Sequence, residues 1–292
     1  MNSPLGWLLR LLGILPLPLL HGSGFLLGWL VSLFPNRHRR ISLRNLQLCF
    51  PDLDDQQRER LLVKSLQETG KTFMETALMW TGSGRRLMSL VREVEGREYL
   101  DAALQRGKGV ILAAPHLGCW ELIGHYIAIS APITCLYKPP AGQGVEGVMR
   151  KGRMHLGVQL APTDASGVKM MLGLLRRGEV AGILPDQDPL AGNGVFAPFF
   201  GIATNTMTLL PRLASKSGAE VLLSYAERLP WGRGYRMHFI PVRDGVAAQE
   251  IEDAVGVLNA SVEEAIRQCP EQYQWIYKRF RTRPPGEPHR FY

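Results

Sequence analysis

The chain has 292 residues, 46% of them hydrophobic, and 34 Lys+Arg against 26 Asp+Glu give a formal net charge of +8. That length can bury one large core, and the near-neutral mean hydropathy excludes a polytopic membrane protein. The positive balance suits an anionic partner such as lipid head groups, a phosphorylated glycolipid or an acidic carrier protein; nucleic acid is disfavoured, because the basic residues cluster beside apolar anchors and form no recognition motif.

At the N-terminus, residues 11–34 carry no formal charge and only one histidine, a length able to cross a hydrocarbon layer of about 30 Å. Pro16 and Pro18 divide the apolar stretch into pieces at 4–15 and 19–34. A kinked span, a re-entrant hairpin and an interfacial pair are the alternatives. The cluster Arg37-His38-Arg39-Arg40 follows as the usual cytoplasmic flank, with Arg39 and Arg40 as membrane or phosphate contacts. This predicts a membrane-anchoring segment, 1–40, ahead of one α/β domain, 41–292.

A long amphipathic helix is predicted over 52–80, opened by Asp52 and Asp54 and closed near Gly82. Apolar strands are expected at 110–114, 133–137, 158–160, 180–184, 221–225 and 235–240. Helices are expected at 96–105, 121–129, 145–155, 167–176, 206–217 and 251–269. Such alternation implies an α/β fold with a layered central sheet flanked by helices. The Pro/Gly-rich stretches 138–147 and 186–201 read as functional loops. Cys49, Cys119, Cys135 and Cys269 form no close pair and no ligand pattern, which points to a reduced cytoplasmic setting.

The most informative stretch is Val110-Ile-Leu-Ala-Ala-Pro-His-Leu-Gly-Cys-Trp-Glu121, in which an apolar strand delivers His116 and Glu121 to one turn. Residues five apart in an unbroken helix diverge by roughly 140°. The backbone must therefore bend between them, and Gly118 allows it. A carboxylate on one imidazole nitrogen fixes the tautomer and leaves the other nitrogen as a general base. The bland alternative is a structural histidine. Zinc is disfavoured because Glu121 and His125 do not follow the His-Glu-x-x-His order. Cys119 is a second nucleophile candidate, and no Gly-x-Ser-x-Gly elbow occurs.

Lys138, just past a strand, is placed to bind a phosphate or a developing oxyanion. Arg150, Lys151 and Arg153 form a short basic stretch, of which Arg153 is the expected phosphate or carrier contact. Arg279 and Arg281, interleaved with aromatics near the C-terminus, suit lipid phosphates or the head-group layer. Asp186-Gln187-Asp188 follows another apolar strand, and an Asp-x-Asp there is also what a metal-dependent glycosyltransferase uses.

The box from His116 to Glu121 is followed by Leu136-Tyr-Lys-Pro139, Leu184-Pro-Asp-Gln187, Val195-Phe-Ala-Pro-Phe-Phe-Gly201 with Thr204, and Pro270-Glu-Gln-Tyr-Gln-Trp275 running into Lys278-Arg-Phe-Arg-Thr-Arg-Pro284. With the early Asn36-Arg-His-Arg-Arg40, Asn45-Leu46 and Cys49-Phe-Pro51, this ordered set resembles the lipid A late acyltransferases, the lauroyl/myristoyl transferases of the wider glycerolipid acyltransferase superfamily. The family usually shows Arg where this chain has Lys138.

The resemblance implies acyl transfer from acyl carrier protein to a hydroxyl of an anionic, acylated glucosamine disaccharide. It implies a site at the inner membrane, with the catalytic domain on the cytoplasmic face among inner-membrane lipids. It also implies Asp186 and Gln187 at the acceptor or structural edge of the site, and no cofactor and no metal. The expected mechanism is a ternary complex in which Glu121 orients His116 and His116 deprotonates the acceptor. Turn amides with Lys138 or Arg153 are expected to hold the oxyanion. Another lipid acceptor, a glycosyltransferase using Asp186 and Asp188, and a non-catalytic lipid carrier are the alternatives.

Overall fold

A computed structural model describes residues 3–139, 145–189, 192–287 and 290–292. The centre is a seven-stranded sheet in the order β1-β9-β8-β2-β5-β3-β4. Its strands are β1 (Val91–Glu95), β2 (Val110–Ala113), β3 (Ile133–Tyr137), β4 (Gln159–Pro162), β5 (Val180–Ile183), β8 (Glu220–Arg228) and β9 (Tyr235–Pro241). All neighbours are parallel except β8 and β9. Every residue of β2 and β5 is buried, which fits inner parallel strands covered on both faces. The crossovers are helical, through α6 (Arg97–Arg106), α7 (Trp120–Ala128), α8 (Glu146–Met154), α9 (Ala165–Arg176) and α10 (Leu209–Ser217), and α11 (Ile251–Gln268) follows the last strand. This is the expected α/β architecture.

Several elements differ from expectation, among them the short helix α5 (Gly84–Leu90), where none was predicted. β1 was hidden by its composition: Val-Arg-Glu-Val-Glu at a sheet edge is largely exposed and lacks an apolar run. The expected loop 186–201 instead leads into a hairpin of β6 (Gly194–Phe199) and β7 (Ile202–Met207), closed by Phe200 and Gly201, both at positive φ. Thr206 pairs with Val195 in that hairpin, so α10 begins three residues later than the predicted helix.

The long helix α4 (Asp55–Thr81) starts at a capping box made by Asp54 and Gln57 and ends at Gly82. Ahead of it lie α1 (Pro4–Ile14), α2 (Leu17–Leu33) and α3 (Arg37–Cys49), whose N-cap is Asn36. The basic cluster therefore opens a helix. Among the described residues no single helix is long and apolar enough to cross a membrane; α1 and α2 together meet that test but are bent by 116° at the two prolines.

One face of α2 is committed to protein. Gly24 and Gly28, a turn apart, face Gly70 of α4 so closely that a Cβ on Gly24 would sit 2.6 Å from the Gly70 carbonyl oxygen. Small residues allow that backbone approach. A side chain at Gly28 would overlap the Leu66 carbonyl, so Gly28→Val should lower stability by about 1–3 kcal/mol in detergent denaturation. Gly22, with open space around it, should accept Ala with a gain of up to about 1 kcal/mol.

Candidate active site

The parallel register aligns Ala113 at the end of β2 with Ile183 at the end of β5. His116 lies three residues beyond the first and Asp186 three beyond the second, so equal offsets on adjacent strands bring them together. His116 Nδ1 is 2.8 Å from Asp186 Oδ1, and the His116 backbone N–H donates to Asp186 Oδ2 at 2.9 Å. Asp186 is buried; although burial raises its pKa, His116 outweighs this and holds the carboxyl below the usual range. An ionised Asp186 accepts from Nδ1–H, which leaves the Nε2 lone pair outward. There it lies 3.2 Å from the Gln187 side-chain amide, with the Trp120 ring 5.0 Å from the imidazole centroid.

The expected contact between Glu121 and His116 is corrected: the carboxylate on the imidazole is Asp186. Gly118 does bend the chain, at φ +59°, but Glu121 in the first turn of α7 points the other way. It accepts from Arg153 Nε at 3.0 Å, from Arg153 Nη2, and from Trp80 Nε1 at 3.2 Å. Burial alone would raise its pKa, but Arg153 and Trp80 keep Glu121 below the ordinary carboxylate value. The Glu121 box residue thus ties α7 to α8 and α4.

Arg153 is correspondingly not a free phosphate ligand; its guanidinium is held by Glu121 and lies 5.5 Å from the Tyr137 ring centroid. Arg279 also departs from expectation. It is buried, donating to the Asn205 carbonyl and the Thr206 hydroxyl at 2.6 Å each, which removes it from any head-group layer. Arg281 is exposed but donates to Asp188 at 3.1 Å. Arg39 binds Glu59 and the Ser32 carbonyl, while Arg40 is exposed on α3. Lys138 stands exposed just past β3, next to residues 140–144, a part of the predicted loop that lies outside the described residues.

Asp188 is buried and accepts from Asn205, Arg281 and Thr282. The Asp-x-Asp pattern therefore serves two different tasks, one carboxylate orienting His116 and the other tying the C-terminal segment to the hairpin. Donors already occupy both Asp188 oxygens, which argues against a nucleotide-metal site there.

The turn amides expected to form an oxyanion hole are also engaged. Leu117 N–H donates to the Pro115 carbonyl (2.7 Å), Gly118 N–H to Gln272 (3.1 Å) and Cys119 N–H to Ala226 (2.8 Å), while the His116 carbonyl accepts from Gln274 N–H (3.1 Å). The segment 270–275 thus crosses the turn and fixes it. Sequence reasoning missed Trp80, Arg228 and Gln272, because their contacts cross from distant elements. A cavity of about 540 Å³ lined by Tyr225, Glu227, Arg236 and His238 includes neither His116 nor Asp186, so volume is not what marks the site.

An imidazole held at Nδ1 by a carboxylate, with only a side-chain amide at Nε2, is an arrangement that can act as a general base on a hydroxyl once that amide is displaced, the chemistry of transferases and hydrolases of the general-base class. The sequence profile of the family described as bacterial lipid A biosynthesis acyltransferase matches residues 5–282. The chain is 32% identical to the lipid A biosynthesis lauroyltransferase of Escherichia coli strain K12, over 95% of this chain and 90% of that protein. It is also 32% identical to the palmitoleoyltransferase of the same organism, over 94% and 88% of the two chains, and 30% identical to a lipid A biosynthesis acyltransferase of Haemophilus influenzae, over 92% and 86%. The chain belongs to the bacterial lipid A biosynthesis acyltransferase family and is an acyltransferase.

His125, one turn along α7 from Glu121, is buried with both ring nitrogens unpartnered among the described residues. Burial pushes its pKa down to about 4. The unfolded chain therefore binds a proton here that the folded chain refuses, so the contribution is full above the ordinary value of 6.5 and declines as pH falls toward about 4. His125→Phe should remove about 3 kcal/mol of pH dependence over that window, seen as a flatter plot of unfolding free energy against pH.

Proposed function

We propose that this acyltransferase moves a fatty acyl group from an acyl carrier protein thioester to a hydroxyl of a lipid A precursor, with His116 as general base. The observation that carries the mechanism is the 2.8 Å contact from His116 Nδ1 to Asp186. The acceptor hydroxyl replaces the Gln187 amide at Nε2, gives its proton to the imidazole and attacks the thioester carbonyl. The tetrahedral adduct then collapses, and the leaving thiolate takes the proton back from His116. Asp186 stabilises the imidazolium formed between the two steps.

With the turn amides engaged, the oxyanion is held by side-chain donors. Gln187, once displaced from Nε2, presents its amide beside the reacting carbon. Direct transfer, without an acyl-enzyme, is supported by Cys119: it is buried, and burial pushes its thiol pKa well above the usual value, so it is no thiolate nucleophile. The acceptor reading rests on the relatives named as lipid A lauroyl- and palmitoleoyltransferases. The net charge of +8 suits both an anionic glycolipid and an acidic carrier.

The same reading puts the chain on the inner membrane, with the active site on its cytoplasmic face. Its support is the outer face of the N-terminal pair, where Trp7, Leu8, Leu11 and Ile14 of α1 and Phe25, Leu26, Trp29 and Leu33 of α2 are exposed. Phe73 of α4 and Trp231, the latter 91% exposed, add to this apolar surface. An exposed apolar area of this kind marks an interaction site, and Arg10 and Arg40 are placed to meet head groups. The pair lies in the interface on this account, because the other face of α2 is packed on α4.

Acyl transfer from a panel of acyl carrier protein thioesters to a detergent-dispersed lipid A precursor tests the reaction. His116→Ala and Asp186→Asn should each lower kcat by about 100- to 10,000-fold. Combining them should cost little more than His116→Ala alone, since the two act as one unit. Glu121→Gln should instead add its own loss to that of His116→Ala. A sugar nucleotide accepted as donor, or Asp186→Asn with wild-type turnover, would contradict the proposal.

The membrane reading predicts that Leu8→Glu with Leu11→Glu abolishes co-flotation with anionic vesicles while turnover in detergent persists. Unchanged flotation would refute it.

A further inference from the structure

A buried ionic network lies directly behind the turn that carries His116. Arg228, at the end of β8, donates from Nη2 to the Gly118 carbonyl at 2.9 Å, and the same nitrogen reaches Glu75 Oε1 at 2.6 Å and Thr72 Oγ1 at 2.5 Å. Its Nε lies 3.0 Å from Glu75 Oε2. That oxygen also accepts from Tyr235 at 2.9 Å and lies 2.9 Å from His21 Nε2 on α2. His21, Glu75, Arg228 and Tyr235 are all buried. Although burial would raise the Glu75 pKa, Arg228 and His21 hold this carboxyl well below the ordinary range.

The backbone of Arg228 is gripped as firmly as its side chain. Its N–H donates to Gln272 Oε1 at 2.8 Å, and its carbonyl accepts from Gln272 Nε2 at 3.1 Å. The Gln272 carbonyl in turn accepts from Gly118 N–H at 3.1 Å. Gly118 is thus held through its carbonyl by Arg228 and through its amide by Gln272, two residues after the base. Gly118 itself admits no adjustment toward the sheet, since a Cβ there would overlap the Ala226 carbonyl.

Paired buried charges are costly to assemble and are poor general stabilisers. A triad of His, Glu and Arg whose guanidinium also reaches one carbonyl of the base-bearing turn is better explained by the geometry it imposes. We propose that Arg228 is a positioning residue for His116, and that His21 makes α2 part of the same device. The N-terminal pair is on this account more than an anchor, because the chain from α2 to the catalytic turn runs through three buried side chains. The inference rests on His116 being the base; the network itself touches no reacting atom.

The test compares full-length wild type, Arg228→Lys and His21→Ala in one detergent. Lysine keeps a cation for Glu75 but lacks the guanidinium fork that also reaches Gly118. Arg228→Lys should lower kcat by about 10- to 100-fold, the scale expected when a reacting group shifts by up to about 1 Å. KM for donor and acceptor should stay within about twofold, since no binding contact is lost. Hydrogen–deuterium exchange at the Gly118 and Cys119 amides should quicken while β5 is unaffected. His21→Ala should show the same pattern with a smaller loss, about three- to tenfold.

A folded Arg228→Lys with wild-type kcat, or with unchanged exchange in the turn, overturns the proposal. If Arg228→Lys does not fold, His21→Ala decides by its exchange at Gly118 and Cys119: faster supports, unchanged overturns. Exchange needs no substrate, so a wild-type enzyme that transfers no acyl group counts against the proposed function alone and leaves this comparison standing.

Discussion

Parallel, in-register pairing of β2 with β5 is the constraint on which the candidate active site depends. It sets Ala113 against Ile183, and the Ala114 N–H donates to the Ile183 carbonyl, so the two strands remain aligned to the point where their chains part. Beyond that point each chain runs three residues to a side chain of the proposed pair. The meeting of His116 and Asp186 then follows from backbone geometry, and both stand at the carboxyl ends of inner strands, where α/β sheets place their ligands. A slip of one residue would turn Asp186 away from the imidazole and send apolar strand residues to the wrong face.

Around that contact the molecule divides its charged groups by task. Asp186 holds the His116 imidazole and backbone. Glu121 with Arg153 joins α7 to α8, and Trp80 extends the joint to α4. Asp188 ties the C-terminal segment to the β6–β7 hairpin, and Arg228 with Glu75 backs the turn. Each carboxylate is partnered, as buried carboxylates must be to remain ionised. Together with the backbone bonds on Gly118 and Cys119 these pairs fix the turn from Pro115 to Cys119 from several sides, the kind of preorganisation the proposed general-base step would use.

Much of the scaffold was legible in the sequence because β2, β3, β5, β8 and β9 are apolar runs and α4 and α11 are long and well bounded. Gly118 read correctly as the bend, since only a residue tolerant of positive φ fits between strand and helix. Edge and hairpin elements were hidden: β1 is charged, and a Phe200-Gly201 turn carries no Asn or Asp signal. The carboxylate partner of His116 was assigned to the nearest acid in sequence. Spacing along one chain reports local neighbours, whereas the choice between Glu121 and Asp186 depends on strand order, which a single sequence does not encode in any periodicity. The signal available was the equal offset of His116 and Asp186 from two fully apolar strands.

The same limit applies to the arginines. Arg279 and Arg281 are two residues apart in a basic, aromatic stretch, yet one is buried under the hairpin and the other faces solvent. Composition suggested one role for both, and packing separates them.

The most direct test of the central claim is nitrogen-15 NMR of the imidazole of His116 in selectively labelled protein. The account predicts that the tautomer with its proton on Nδ1 and none on Nε2 is the one observed, that it persists in Glu121→Gln and that it is lost in Asp186→Asn. A proton fixed on Nε2 in the wild type, or a tautomer indifferent to Asp186 and dependent on Glu121, would contradict it.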